Sequence, residues 1–248
     1  MKTSRNTVLI TGGGSGIGLE TAKLFSHSNN VIITGRDEEK LRNAVKQLDG
    51  KGQYIVADVT RDQDINLLAD RIMAEFPDLN ILINNAGAAT LHNVGDSADA
   101  LDIARREMET NYFGAVNLTT KLLPILKSAK EAAVINVTSI LAFAPGISLP
   151  TYSASKAALH SYTQVLRLSL AGTNVKVFEV MPPLVDTEFA KDIASPNKIP
   201  AVQVAHELLT SMAINNFEVR IAFTEQLYKN FLGRPDKAAL ALNGLPLQ

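Results

Sequence analysis

The sequence predicts an α/β protein, a doubly wound parallel β-sheet with helices on both faces. Three observations predict it. Short apolar, β-branched runs alternate with longer segments of helical period, the β-α-β-α rhythm of parallel strands joined by right-handed crossovers. The runs show little polar alternation, as strands covered on both faces do. The first run ends in a glycine cluster from which a helical pattern starts.

In chain order, the strand candidates are residues 7–11, 30–34, 52–57, 81–84, 132–138 and 174–180. Between them lie helical patterns at 17–27, 38–48, 62–75, 101–126 and 152–170. Residues 182–200 carry four prolines and lose the period, which predicts a loop or lid over a substrate. Residues 202–215 read as a helix and 218–223 as a last strand, while the tail after Gly233 has no clear pattern. No repeat or linker interrupts the chain, so residues 1–248 are expected to form one domain.

Composition excludes several classes of function. The formal net charge of -1 and the absence of a Lys/Arg block leave no electrostatic basis for binding nucleic acid or an anionic membrane. There is no cysteine, hence no disulfide, thiolate nucleophile or zinc–thiolate site. The four histidines, His27, His92, His160 and His206, lack ligand spacing, so no metal is expected. No apolar run is long enough to span a bilayer or to serve as a secretory signal, and a cytoplasmic location is expected.

The glycine cluster is Thr11-Gly12-Gly13-Gly14-Ser15-Gly16-Ile17-Gly18. Phosphates need main-chain N–H groups aimed at them with no side chain in the way, and the following helix N-terminus adds donors and a favourable dipole. Gly12, Gly14, Ser15, Gly16, Ile17 and Gly18 are therefore candidates for holding a dinucleotide. A glycine cluster alone can be a mere turn; its place between strand and helix favours binding. The second strand runs into Thr34-Gly35-Arg36 where the adenine ribose is expected. The Arg36 guanidinium suits a 2′-phosphate and favours NADP. Asp37 follows at once. It keeps NAD open if it reaches the ribose, and otherwise serves with Glu38 and Glu39 to complement a helix start. Asp58-Val59 after the third strand and Asn85-Ala86-Gly87 after the fourth sit at strand C-termini, where adenine and ribose are expected; each could also be a turn.

Tyr152 and Lys156 are four apart in a helical pattern and so share a face, with Thr151 or Ser153 expected to cap the helix after Pro150. Ser139 closes the fifth strand, and Asn111 is a polar residue inside the longest helical pattern, which asks for a hydrogen-bonding reason. Adding hydride to a carbonyl needs an acid for the alkoxide. A free tyrosine, with a pKa of about 10, is poorly matched to that task, and a nearby ammonium would lower it. Ser139 would polarise the carbonyl. Alternatively, Tyr152 is an ordinary amphipathic-helix residue and Lys156 a solvated charge. His160, one turn after Lys156, either lines this site or lies on the helix surface.

In order along the chain, TGGGSGIG at 11–18, Asp58, NNAG at 84–87, Asn111, Ser139 and Tyr152-x-x-x-Lys156 resemble the classical short-chain dehydrogenase/reductase family, over nearly all of the chain to about Ala222. The resemblance implies a Rossmann-like sheet of about seven strands and hydride transfer between NAD(P) and a small carbonyl or alcohol. It implies Tyr152 as general acid or base, and Lys156 as the group that binds the nicotinamide ribose and lowers the tyrosine pKa. It implies Ser139 as the holder of the substrate oxygen and Asn111 as the anchor of a water in a proton relay. Pro182, Val185 and Thr187 would meet the nicotinamide. Two features depart from the family. Pro182-Pro183 stands where Pro-Gly is usual; Pro183 removes a backbone donor, and the form resembles a bacterial branch linked by name to D-alanylation of teichoic acids. The glycine-rich end common in tetrameric members is missing, so a homodimer is expected ahead of a tetramer. Two other functions fit parts of the sequence: a non-catalytic dinucleotide-binding sensor or scaffold, and an epimerase or dehydratase of sugar nucleotides. The intact Asn111, Ser139, Tyr152 and Lys156 set argues against the first. About 60 residues after the sixth strand leave little room for the substrate domain of the second. Phe143, Ile147, Leu149, Leu184 and Phe189 are candidates for an apolar substrate wall, or for packing the lid down.

Overall fold

The structure is a computed structural model that describes residues 1–49, 52–95 and 98–246. Seven parallel strands form the sheet in the order β3-β2-β1-β4-β5-β6-β9. They are β1 (Thr7–Thr11), β2 (Asn30–Gly35), β3 (Gly52–Val56), β4 (Leu79–Asn84), β5 (Ala132–Val137), β6 (Val175–Met181) and β9 (Glu218–Arg220). Strand order reverses between β1 and β4, which pair with Ile10 opposite Ile83. The loops leaving these neighbours diverge and open a crevice at their C-terminal ends, the usual place for a ligand in such a sheet.

Helices α1 (Gly16–Ser26), α2 (Glu38–Val45) and α7 (Ala201–Ile214) carry residues of one apolar layer; α3 (Asp62–Glu75), α5 (Gly114–Ser128) and α6 (Pro150–Ser169) carry those of the other. The strands alternate side chains between these layers. Val8 and Ile10 face the first and Leu9 the second, all fully buried, so each strand reads as a continuous apolar run.

Three expectations need correction. The helical pattern of 101–126 is not one α-helix. It runs as α4 (Ala100–Met108), a π turn over Glu109–Phe113, and then α5. A π turn inserts a residue, re-aims the side chains within it, and is frequent at functional sites. The last strand stops at Arg220; the positive φ of Ala222 then turns the chain into α8 (Phe223–Gly233). The unreadable tail forms α9, Pro235–Leu242, with proline at its start where a missing N–H costs nothing.

The proline-rich segment of 182–200, the expected loop or lid, carries its own short ladder. β7 (Val185–Asp186) pairs in parallel with β8 (Ile199–Pro200), and a 3-10 turn at Glu188–Ala190 lies between them.

Candidate active site

One cavity of about 1220 Å³ occupies the crevice. Gly12, Ser15, Gly16 and Ile17 line it from the glycine loop, and Asn85, Ala86 and Gly87 from the end of β4. Ser139, Tyr152 and Lys156 form its chemical wall, and Pro182, Val185 and Thr187 belong to the lid side. Gly14, Gly18, Arg36, Asp58, Val59 and Asn111 do not line it.

The glycine loop is held mainly by main-chain groups. Gly12 has a φ of 65°, which a side chain would resist, and Gly13 N donates to Thr34 O at 3.2 Å. Gly18 stands behind the loop rather than in it. A Cβ there would lie 2.3 Å from Gly12 O, so the glycine lets α1 close onto the loop. Asn85 ties the two loops of the crevice together through Nδ2, which donates to Thr11 O at 2.9 Å and Gly12 O at 3.3 Å. The residues thus fit a dinucleotide: a glycine-walled cradle, a helix N-terminus behind it and a cavity long enough to continue to Tyr152.

Just after β2, Arg36 is exposed and does not line the cavity. Asp37 is the N-cap of α2, accepting from Lys40 N at 3.0 Å, so its first duty is to the helix. Lys40 is a cation the sequence reading missed. Its Cβ lies 3.5 Å from where a Gly14 Cβ would be, and its ammonium reaches Glu188 of the lid at 3.3 Å. The signal was available in the spacing, since Lys40 follows Arg36 by four. Asp58 folds onto its own turn, accepting from Thr60 N at 2.9 Å and Thr60 Oγ1 at 2.8 Å, and Val59 lines a separate small pocket behind Ala86.

Tyr152 and Lys156 lie on α6 as their spacing predicts. The cap is different. Pro150 occupies the first turn and Leu149 the cap position, with no side-chain cap. Ser153 Oγ instead donates to Leu149 O at 2.8 Å, and Thr151 Oγ1 donates to Glu107 at 2.5 Å. Glu107, almost wholly buried, also accepts from Thr90 N at 2.7 Å, so one carboxylate joins a wall of the cavity to the residue before Tyr152. An acid in an amphipathic helix gives no hint of this burial in sequence.

Asn111 sits in the π turn with its side chain committed. Oδ1 accepts from Ala88 N at 2.8 Å, and Nδ2 donates to Ala88 O and to Ser155 Oγ, both at 2.8 Å. Both amide hydrogens are spent, which supplies the hydrogen-bonding reason that a buried Asn requires. Ser155 Oγ in turn donates to Tyr152 O at 2.8 Å. Ser139 Oγ accepts from Leu141 N at 3.1 Å, which orients the hydroxyl and leaves its proton for another acceptor. Lys156 Nζ donates to Val137 O at 2.8 Å and lies 5.6 Å from the centre of the Tyr152 ring.

Burial pushes the Tyr152 phenol up to about 12, against the pull of the nearby Ser139 hydroxyl and helped by the charge of Glu107. The lowering expected from Lys156 is not found: burial dominates, and the ammonium, bonded to Val137 O, lies over the ring. Burial draws Lys156 itself down to about 8, against an upward pull from Glu179. His160 turns away from the cavity and bonds Glu179, a second buried carboxylate that the sequence did not flag. Phe143 packs on Tyr228 and Phe231 of α8 instead of walling the cavity, and Ile147 is 55% exposed. Leu149, Leu184 and Phe189 do line it, with Phe189 6.1 Å from Tyr152 between ring centres.

The short chain dehydrogenase family model matches residues 6–198, most of the chain. The chain belongs to the short-chain dehydrogenase family. Within it, the chain is 43% identical over 190 residues to an uncharacterized oxidoreductase, DltE, of Bacillus subtilis (strain 168), covering 75% of this chain and 74% of that protein. This agrees with the bacterial branch read from Pro182-Pro183. It is 34% identical over 195 residues to a fatty acyl-CoA reductase of Acinetobacter baylyi (strain ATCC 33305 / BD413 / ADP1), covering 77% of this chain and 65% of that protein. Among solved structures, a short chain dehydrogenase from Burkholderia cenocepacia J2315 in complex with NADP superposes with a TM-score of 0.87 at 29% identity, covering 99% of this chain and 100% of that one. The family is one of oxidoreductases that use a nicotinamide dinucleotide. Among the described residues no helix is long and apolar enough to cross a membrane.

Proposed function

We propose that this short-chain dehydrogenase transfers hydride between NADP(H) and the carbonyl or secondary alcohol of a small substrate. The observation that carries the reading is that Ser139, Tyr152 and Lys156 converge on a cavity whose other end is the glycine cradle. A bound NADPH would supply hydride to the carbonyl carbon. Ser139, its acceptor side taken by Leu141 N, donates to the carbonyl oxygen and favours the charge that grows there. Tyr152, protonated at neutral pH, gives its proton to that oxygen; in the reverse direction its phenolate takes the alcohol proton. Lys156 keeps ammonium hydrogens beyond the one given to Val137 O and offers them to a cofactor ribose. Asn111 holds Ala88 and Ser155, and through them the loop and helix that carry Gly87 and Tyr152; its remaining Oδ1 lone pair suits a relay water.

Arg36 and Lys40 together favour NADP over NAD at the adenosine end, where Asp37 is already occupied as a helix cap. Leu91, Leu141, Leu149, Leu184, Phe189 and Ile193 make the substrate end mainly apolar and suit a carbonyl compound with an apolar group. The exposed apolar side chains Leu101, Phe113, Val165 and Leu168, on α4, the π turn and α6, suit pairing with a second copy of the chain, which light scattering tests.

Fluorescence titration with NADPH and with NADH, followed by an NADPH-consumption assay on uncharged aldehydes and ketones, tests the reading. Tighter binding of NADPH and turnover of one or more carbonyls are expected. Binding without any turnover would move the protein to the sensor or scaffold class, and binding of neither cofactor would sink the proposal.

A further inference from the structure

Glu179 has no place in the chemistry above, yet it is a wholly buried carboxylate on β6. Removing a charge from water costs several kcal/mol unless partners meet it. Thr138, beside Ser139 on the neighbouring chain segment, donates to Glu179 Oε1 at 2.7 Å. His160 Nδ1 lies 2.8 and 3.0 Å from the two carboxylate oxygens. Lys156 stands one helical turn before His160 on the same face of α6, and its ammonium is bonded to Val137 O, next to Thr138. The other charges around this point have their own partners. Glu218 of β9 lies opposite Glu179 in the ladder and is met by Arg167 of α6 at 3.3 Å and by Arg220. Arg220 also holds Glu225 at 2.7 Å, and Arg167 gives further hydrogens to Val177 O and Phe217 O. Of the cations near Glu179, His160 and Lys156 are therefore the ones not matched to another carboxylate among the described residues. They differ in access: the His160 side chain is 20% exposed, whereas Lys156 and Glu179 are buried.

We infer that Glu179 is a positioning carboxylate, the counter-charge that keeps Lys156 cationic beside Tyr152, and that His160 is the solvent-facing group with which it shares that charge. The idea rests on the proposed reaction only in assigning Lys156 a use. Its sign is definite. A protonated His160 neutralises Glu179 and weakens its hold on Lys156; a neutral His160 leaves the full negative charge to Lys156. Glu179 raises His160 through their hydrogen bond, and raises Lys156 against the burial that draws it down. Removing the carboxylate must therefore lower the pH at which Lys156 loses its proton, and removing the charge of a His160 that Glu179 keeps protonated in that range must raise it. A pair that merely braced β6 against α6 would cost stability in both variants and move the titration oppositely in neither.

The test is NMR titration of the full-length protein labelled with 13C at lysine Cε, with Lys156→Met to identify the signal, alongside the pH profile of kcat/KM for carbonyl reduction. Relative to the unsubstituted chain, Glu179→Gln should lower the Lys156 midpoint by about one pH unit, and His160→Gln should raise it by roughly half a unit. The alkaline limb of kcat/KM should follow each shift. Midpoints that stay put, or that move the same way in both variants, overturn the inference. If Glu179→Gln fails to fold, His160→Gln decides alone: an upward shift supports the inference, and no shift or a downward one ends it. Opposite NMR shifts in a protein that reduces no carbonyl would keep the inference and remove the proposed reaction.

Discussion

The two ends of the cavity are built from different material. At the proposed cofactor end the walls are mostly main chain: the loop after β1, pinned by Asn85 and by the close approach of Gly18 to Gly12 O. At the proposed substrate end they are side chains delivered by distant segments, namely Leu149 of the α6 approach, Leu184 and Phe189 of the 182–200 segment, Phe223 and Leu242 of the C-terminal helices, and Asn243 just after them. A wall of main chain dictates residue types at fixed spacing, because only glycine fits. A wall of side chains dictates only bulk and polarity, which many sequences satisfy. The family model stops at residue 198, before the C-terminal part of that second wall begins.

Substitutions at the chemical wall, where the two ends meet, should have the largest effect. Tyr152→Phe removes the transferable proton and keeps the ring against Phe189. Steady-state turnover should fall by roughly 10²- to 10⁴-fold while NADPH affinity, read by fluorescence, stays within about twofold. Unchanged turnover would take Tyr152 out of the mechanism. Next comes the cofactor end. Gly18→Ala places a methyl group 2.3 Å from Gly12 O and 2.5 Å from Asn85 Nδ2, both parts of the cradle itself. Overpacking of this kind costs about 1–3 kcal/mol, so affinity for both NADPH and NADH should drop by roughly 5- to 150-fold, with a lower Tm. A variant that binds either cofactor normally would show that the cradle tolerates slack. Arg36→Ala should separate the cofactors instead, weakening NADPH by about tenfold or more and NADH little. Equal losses would mean that Arg36 does not read a 2′-phosphate.

The same contrast explains what could be read from the sequence. The sheet, the glycine loop and the Tyr152–Lys156 pair were legible because each follows from a period or a spacing that physics fixes locally. The π turn at Asn111 was legible only as a puzzle, a polar residue inside a helix, because the inserted residue leaves the apolar pattern on both sides intact. Glu107 and Glu179 were not legible at all. Their burial depends on partners 17 to 44 residues away in the chain for Glu107 and 19 to 41 for Glu179, which no local pattern records. The α8–α9 hairpin was missed for a similar reason: its apolar residues pack on Ile140, Leu141 and Phe143, a small satellite core rather than the main layers.

Glu107 offers a subtler test where the two walls meet. Its negative charge favours the neutral Tyr152 phenol, and its oxygens hold Thr90 and Thr151 in place. With Glu107→Gln the amide can keep an acceptor for Thr90 N, but the charge is gone. The phenol should then ionise at lower pH. Alcohol oxidation, which needs phenolate, rises with pH; its rising limb should move to lower pH, while reduction near neutrality changes little. An unmoved limb, with hydride transfer limiting the rate, would show that Glu107 acts on the site only as a brace.

The smallest effect belongs to the far wall. Asn243, just after α9, donates through Nδ2 to Pro145 O at 2.8 Å and accepts from Ile147 N at 2.8 Å, clasping the loop that leads into α6. Because both bonds are exposed, water replaces them at little cost, and each contributes on the order of 1 kcal/mol. Asn243→Ala should therefore leave NADPH affinity and Tm nearly unchanged and raise KM for a carbonyl substrate by about three- to fivefold, since it loosens only the substrate wall. A rise in KM with intact cofactor binding would show the two ends to be energetically separable. A parallel loss of NADPH affinity would show instead that the C-terminal hairpin braces the whole crevice, and that the division between a main-chain wall and a side-chain wall is one of composition and not of energy.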